Sequence, residues 1–534
     1  MATEEFDYIV VGAGSAGCVL ADRLSADGRH RVLLLEAGGR DRNIWIHVPL
    51  GYGKTMFNRD VNWMFETQEV PALNNRRVKQ PRGRVLGGTS SINGLLYVRG
   101  QREDYDEWRD LGCSGWSYAD LLPYFKRSED QQRGADPWHG AGGPLAVSDF
   151  PDGTHPIAEA FLAAATGMGM PRNPDFNGAV QEGVGYYQGT VRNGLRCSTS
   201  TAFLGNAKGR GNLAVRTRAP ARRIVFEGKR AVGVTYRGAD GIANARARRE
   251  VILSAGAIQS PQLLEVSGVG SGELLARLGV PLVHDSPGIG ENLHDHLQSR
   301  LIYRTRDKIT LNDVLQSYPR QAGMVLRYLL ARKGPLTWLA AIAGGFVRSD
   351  SALTRPDIQF QLYPYSSDRV DPKLHPFSAF TLTVCNLRPE ARGSVHAISP
   401  DFDVAPAIQP NYLDHPADVA SMLAAVKLGR AVVHSSAMQA IVESEQTPGP
   451  DCKSDQDILA FVRDKAFCVY HPVGSCRMGA DAAAPLDAEL RVKGVEALRV
   501  ADASVMPRIC SGNTNAAAIM IGEKAADMIL KAAE

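Results

Sequence analysis

Residues 6–36 constrain this chain more than any other stretch. Phe6-Asp7-Tyr8-Ile9-Val10-Val11 is apolar and β-branched, the pattern of a buried parallel strand. Gly12-Ala13-Gly14-Ser15-Ala16-Gly17 follows, then a helical run over residues 18–24, a break at Gly28, and a second apolar strand at residues 31–35. That strand ends on Glu36, nineteen residues after Gly17. Strand, glycine turn, helix, strand and acid in this order make a dinucleotide site. Gly12 permits the tight turn, Gly14 lets backbone approach a pyrophosphate, and Gly17 lets helix pack on strand. The helix N-terminus offers free N–H groups to the phosphates. Glu36 can accept from ribose hydroxyls, and its charge repels a 2′-phosphate. The motif alone does not separate FAD from NAD.

At 534 residues the chain exceeds one compact core, so two or more domains are expected. A net charge of +3 argues against nucleic-acid binding. The acidic start, Glu4-Glu5 running straight into the first strand, is not a signal peptide, and no apolar run is long enough to span a bilayer. Eight scattered cysteines without a CxxC pair read as reduced thiols in a cytoplasmic protein, and no metal-ligand spacing stands out.

Residues 38–71, with Trp45, Tyr52, Trp63 and Phe65, read as a long ordered connection of the kind that covers a ligand. Gly87-Gly88-Thr89-Ser90-Ser91 reads as a turn entering a helix. Its donors suit a phosphate or an electron-rich ring, or serve only as turn and cap chemistry. Residues 120–131, 156–168, 324–330, 416–433 and 515–533 have helical patterns. Short β runs at 213–218, 222–227, 231–237 and 243–248 read as a meander leading into a strand, Glu250-Val251-Ile252-Leu253, and a small-residue turn at Ala255. Residues 208–249 hold twelve Lys/Arg against two acids, a solvated meander face or a patch for an anionic membrane surface.

Several ordered motifs over essentially the whole chain are similar to those of the glucose–methanol–choline (GMC) oxidoreductases, flavoenzymes that oxidise alcohols. Residues 83–106 look like the family's first signature and residues 256–270 fit its second. Pro287-Gly288-Ile289-Gly290-Glu291-Asn292-Leu293-His294-Asp295-His296 resembles a recurring segment, and Tyr470-His471-Pro472, residues 500–504 and Gly512-Asn513-Thr514-Asn515 complete the set. The resemblance implies an α/β fold. A Rossmann-like FAD-binding domain, a parallel sheet plus β-meander, would be assembled from residues 1–155, 196–305 and 466–534. An inserted α+β substrate domain on an antiparallel sheet would take 156–195 and 306–465.

It also implies FAD. Gly12, Gly14, Ser15, Ala16, Gly17, Glu36 and Ala37 would hold the ADP half. Trp63, Arg84, Val85, Gly87, Gly88, Ser91, Asn93, Gly94 and Leu95 would lie along the flavin side. Ala255, Asp502, Ala503 and Asn515 would reach the pyrophosphate, ribityl and ring region. Some members attach flavin through a His just before the position of Asn93; here it is Ile92, so dissociable FAD is expected.

On its own residues, His471 beside Tyr470 and Pro472 suits either a structural role or catalysis. The resemblance assigns it the base that takes the alcohol proton, and gives Asn513 the task of orienting the substrate oxygen. His294 and His296 read as structural. Choline-oxidising members carry Glu before an Ala-Gly-Gly-Phe-like segment; Ile342 precedes Ala343-Gly344-Gly345-Phe346 here, which disfavours choline. Trp338, Tyr363, Tyr365 and Phe377 are candidate pocket walls.

The expectation is an FAD-dependent dehydrogenase that oxidises an uncharged primary alcohol, aliphatic, aromatic or polyol. Electrons would pass to a quinone or similar acceptor. The alternatives are an oxidase using O2 and a choline dehydrogenase. The protein would be a cytoplasmic monomer or homodimer, with peripheral contact at the inner face of the membrane as a further expectation.

Overall fold

The computed structural model describes residues 4–367 and 373–533. Two sheets organise it. In the first, strands Leu213–Arg216, Val32–Leu35, Glu4–Val11 and Gly241–Leu253 lie side by side, all parallel, and Leu498–Val500 pairs parallel to the last of them. Both faces of a parallel sheet are covered, which explains the continuous apolar runs at 8–11 and 32–35. The turn helix Ser15–Leu24 and the closing helix Asn515–Lys531 pack together: a Cβ on Gly522 would meet Ala16 O at 2.8 Å. Glu523, fully buried, binds both Arg23 (Nη2, 2.7 Å) and Arg127 (Nη2, 2.6 Å).

The meander differs from its sequence reading. Residues 243–248 and 250–253 form one continuous 13-residue strand, Gly241–Leu253. Its first half pairs antiparallel with Arg230–Gly238, which pairs with Ala221–Glu227, while its second half enters the parallel sheet. Leu213–Arg216 is not in the meander but at the opposite edge. Many of the meander's cations have partners: Arg216 binds Glu4, Arg222 and Arg237 bind Asp403, Arg246 binds Glu227 and Arg248 reaches Asp7. The positive run is therefore largely balanced by acids distant in sequence, the picture of a solvated face.

The second sheet is antiparallel, in the order Val442–Thr447, Leu297–Thr305, Ala379–Asn386, Ile358–Tyr363, Ala343–Val347, Gly183–Tyr186. Leu297–Thr305 and Phe467–Cys468 fall in the nucleotide-binding part by the sequence boundaries, yet both pair here. Side chains alternate across this sheet. Leu297, Leu301, Tyr303, Phe360, Leu362, Leu382 and Val384 form a core with helices Pro156–Gly167 and Pro416–Val433. The opposite face carries Gln298, Arg300, Gln359, Gln361, Thr381, Thr383 and Tyr363, and it looks toward the first sheet's glycine turns. An apolar back and a polar front thus fix the register and turn one face into a ceiling.

All eight cysteines are free, and seven are buried. No helix among the described residues is long and apolar enough to cross a membrane.

Candidate active site

One cavity of about 1260 Å³ runs from the first glycine turn to the polar face of the second sheet. Small-molecule pockets are typically ~300–1,000 Å³, so this one has room for a dinucleotide and a substrate together. At its inner end two helix N-termini meet, where Ser15 Oγ donates to Asn515 Oδ1 at 2.7 Å. A Cβ on Gly14 would meet nothing closer than Ser254 O at 4.0 Å, leaving its backbone open to the cavity. At Gly12, by contrast, φ is +101° and a Cβ would strike Ser254 O at 2.4 Å, so only glycine fits. Glu36 lines this end, accepting from Ala13 N (3.0 Å) and Gly38 N (2.7 Å). Burial pushes its carboxyl up to about 7, against the pull of those donors.

The stretch after Gly87 forms no helix. Gly87 and Gly88 (φ +86° and +52°) lead a short 3-10 turn, Gly88–Ser91, and no helix propagates. Ser90 Oγ and Ser91 Oγ donate back to Gly87 O and Leu86 O, the competition that keeps serine at turns. A Cβ on Gly88 would meet Gly14 Cα at 2.7 Å, so the two glycine turns touch back to back. Beyond them Arg196, fully buried, clamps Asn93 through Oδ1 (2.7 Å) and O (2.8 Å). Residues 38–71 hold two short α-helices, Ile44–His47 and Tyr52–Thr55, with a 3-10 turn Pro49–Gly51 between them, and Trp45, Tyr52 and Trp63 from this stretch line the cavity.

Of the residues expected around a cofactor, Gly12, Gly14, Ser15, Ala16, Glu36, Ala37, Trp63, Gly88, Asn93, Gly94, Leu95, Ala255, Asp502, Ala503 and Asn515 line the cavity. Gly17, Arg84, Val85, Gly87 and Ser91 stand behind it. Gly17 is pressed against Gly12, where a Cβ would meet the carbonyl at 1.8 Å. Arg84 lies over the Trp63 ring at 4.7 Å and supports the wall from outside. Open backbone at Gly14, paired helix N-termini without cap side chains of their own, and a buried acid together fit an adenine dinucleotide.

The outer end holds His471 and Asn513, with 3.1 Å between Nε2 and Nδ2. Tyr470, held at φ +68°, turns the chain so that its carbonyl accepts from Arg82 (2.5 Å) and His471 N donates to Asp295 Oδ1 (2.7 Å). Asp295 also takes His296 N, Gln80 and Tyr412, which fixes the whole corner. His296, read as structural, adjoins the site: its Nδ1 lies 3.0 Å from His471 Nδ1, and its Nε2 lies 2.9 Å from Leu387 O.

This chain of contacts determines the tautomers. The Leu387 carbonyl accepts only, so His296 carries its proton on Nε2. His296 Nδ1 is then an acceptor, His471 donates to it from Nδ1–H, and His471 Nε2 is left as a lone pair facing the Asn513 amide. Asn513 Oδ1 in turn accepts from Gln359 Nε2 at 3.3 Å, which orients the amide with Nδ2 toward His471. Burial, with His296 and Arg82 adding to it, holds His471 well below the usual imidazole range; burial likewise lowers His296 to about 4. Both rings are neutral near pH 7. The site thus offers one unprotonated imidazole nitrogen and one amide donor, facing each other at 3.1 Å and both on the cavity wall.

Tyr363 and Tyr365 line the cavity as expected of pocket walls. Trp338 and Phe377 do not. Trp338 donates to Asp152 Oδ2 (2.7 Å) in the core, and Phe377 stacks on His375 (4.9 Å). The missed contributors were His296, Gln298, Arg300, Gln359 and Gln361. Polar residues at every second position of otherwise apolar strands, 298/300 and 359/361, were the available signal.

A family model described as GMC oxidoreductase matches residues 6–298, and a second of the same description matches 389–522. The chain is 43% identical over 529 residues to an alcohol dehydrogenase [acceptor] of Pseudomonas putida, covering 98% of this chain and 96% of that protein. It is 42% identical over 531 residues to an oxygen-dependent choline dehydrogenase of Escherichia coli K12, covering 98% and 95%. Among solved structures, pyridoxine 4-oxidase from Mesorbium loti superposes with a TM-score of 0.89 at 32% identity, over 98% of each chain. Aspergillus oryzae formate oxidase superposes with a TM-score of 0.93 at 27% identity, over 100% and 99%.

Proposed function

Because this chain belongs to the GMC oxidoreductases, an FAD-binding family, we propose that it is a dehydrogenase oxidising an uncharged primary alcohol to the aldehyde and passing electrons to a quinone or similar acceptor. The observation that carries this reading is the hydrogen-bond chain that leaves His471 Nε2 unprotonated, beside the Asn513 amide and on the cavity wall. His471 Nε2 takes the hydroxyl proton, and Asn513 Nδ2 donates to the oxygen as it becomes an alkoxide. FAD, when bound, supplies the hydride acceptor. Gly12, Gly14, Ser15 and Asn515 would hold its phosphates, Glu36 its ribose, and residues 88–95 its ring end. Ile92 is buried in the cavity wall and offers no nucleophile, which supports dissociable flavin.

Against choline, the only acids lining the cavity among the described residues are Glu36 and Asp502, and Ile342 is fully buried. Asp502 is engaged by Gly256 N and Ser260 Oγ. Arg300 adds a cation to the substrate end. Among the described residues, a quaternary ammonium therefore meets no carboxylate there.

The test is anaerobic flavin reduction across a panel of alcohols. His471→Ala should keep FAD and lose reduction by orders of magnitude; unchanged reduction overturns the role of His471. Readmitting air distinguishes the acceptor: peroxide formed at the rate of dye-linked turnover would make the protein an oxidase.

A further inference from the structure

The helix Tyr318–Ala331 buries Met324 and Tyr328 and turns a second apolar stripe outward. Tyr318 is 87% exposed, Val325 43%, Leu326 57%, Leu329 62% and Leu330 78%. The last four recur at i, i+1, i+4 and i+5, one continuous face of a helix. Scattered exposed apolar side chains need no explanation, but a contiguous stripe does. Arg320, Arg332 and Lys333 are exposed around it, and no acidic residue occurs between Asp313 and Asp350. Leu315 and Val325 line the cavity and are also open to solvent, 40% and 43% exposed. The cavity therefore opens beside this stripe.

We propose that this helix docks in the interface of an anionic lipid membrane, with the cavity mouth against the lipid. An apolar stripe flanked by cations is the pattern of an in-plane interfacial helix: side chains enter the acyl boundary while Arg and Lys meet headgroup phosphates. A second copy of the chain fits less well. Two such helices placed face to face bring Arg320, Arg332 and Lys333 of both copies together, with no acid on the helix to offset them. The surface is distinct from the arginine-rich meander, whose charges are largely paired within the chain. Docked this way, the cavity mouth admits apolar reactants directly from the bilayer.

Vesicle binding by the FAD-loaded enzyme tests this without any substrate, so it stands apart from which alcohol is oxidised. Cosedimentation is compared for phosphatidylcholine vesicles and for phosphatidylcholine vesicles containing phosphatidylglycerol. The wild type should bind the anionic vesicles, and less so at high salt. Leu326→Glu with Leu330→Glu should reduce the bound fraction about tenfold or more, and Arg320→Gln with Lys333→Gln should weaken it severalfold. Neither pair lines the cavity, and unchanged Tm and FAD content certify the fold. No binding to anionic vesicles, or undiminished binding by the Glu pair, overturns the proposal. So does a dimer in light scattering that the Glu pair converts to monomer.

Discussion

Replacing His296 by alanine separates the proposed base, His471, from the group that sets its tautomer. In the wild type, His471 Nδ1–H has one acceptor, His296 Nδ1 at 3.0 Å, inside a corner where both rings are buried. Removing a partner and leaving a buried donor unsatisfied costs about 1–3 kcal/mol. That cost falls on the tautomer with its proton on Nδ1; moving the proton to Nε2 escapes it but sets Nε2–H against the Asn513 amide donor, so the shift cannot exceed that cost. At ~1.4 kcal/mol per factor of ten, the tautomer ratio moves against the reactive form by roughly 5- to 150-fold, which is the most by which that form can be depleted. The lower end applies if water enters the space vacated by the ring.

The assay is rapid-mixing reduction of the bound flavin by a saturating alcohol without oxygen. The limiting rate should fall by up to that factor, while the alcohol concentration giving half the limiting rate moves little, since His296 does not line the cavity. His296→Gln, whose carbonyl can accept from Nδ1–H, should recover part of the loss. A His296→Ala enzyme with full FAD content and a limiting rate within about twofold of wild type would refute the tautomer chain.

Three other expectations follow from the same geometry. The limiting reduction rate should stay flat from neutral pH down to well below 6.5, because burial depresses the His471 pKa and the neutral, active form persists into acid; a fall centred near an ordinary imidazole value contradicts this. Asn513→Ala, with His471 intact, should slow reduction about 10²- to 10³-fold by removing the donor to the developing alkoxide, read in the same experiment. Gly88→Ala should lower Tm and the FAD retained after gel filtration, since φ is +52° and the new Cβ would press on Gly14 Cα at 2.7 Å; normal flavin content would contradict the account of the paired glycine turns.

The nucleotide end of the site was legible in sequence because its physics is local. A glycine that must adopt φ +101°, a helix start and an acid on the next strand are all set within residues 4–36. Helices such as Pro416–Val433 carry their own start signals and were legible for the same reason. The catalytic end is assembled by register. His296 reaches His471 because Leu297–Thr305 pairs with Phe467–Cys468, and Gln359 reaches Asn513 from Ile358–Tyr363, two strands further across the same sheet, contacts spanning long separations along the chain. Nothing near His296 in sequence says what its ring faces. The meander's charge left two readings open for the same reason: the acids at 7 and 403 that pair with Arg248 and with Arg222 and Arg237 are remote in the sequence.

The 2.7 Å bond between Ser15 and Asn515 joins residues 500 positions apart. During synthesis the first strand, turn and helix emerge early, but the second helix N-terminus, the Leu498–Val500 strand and the buried partner Glu523 emerge last. The end of the cavity proposed to hold the phosphates therefore stays open on the ribosome until residues 498–523 have appeared. Flavin capture becomes a completion signal: a product stopped before residue 515 keeps the glycine motif yet lacks the surface that closes over it.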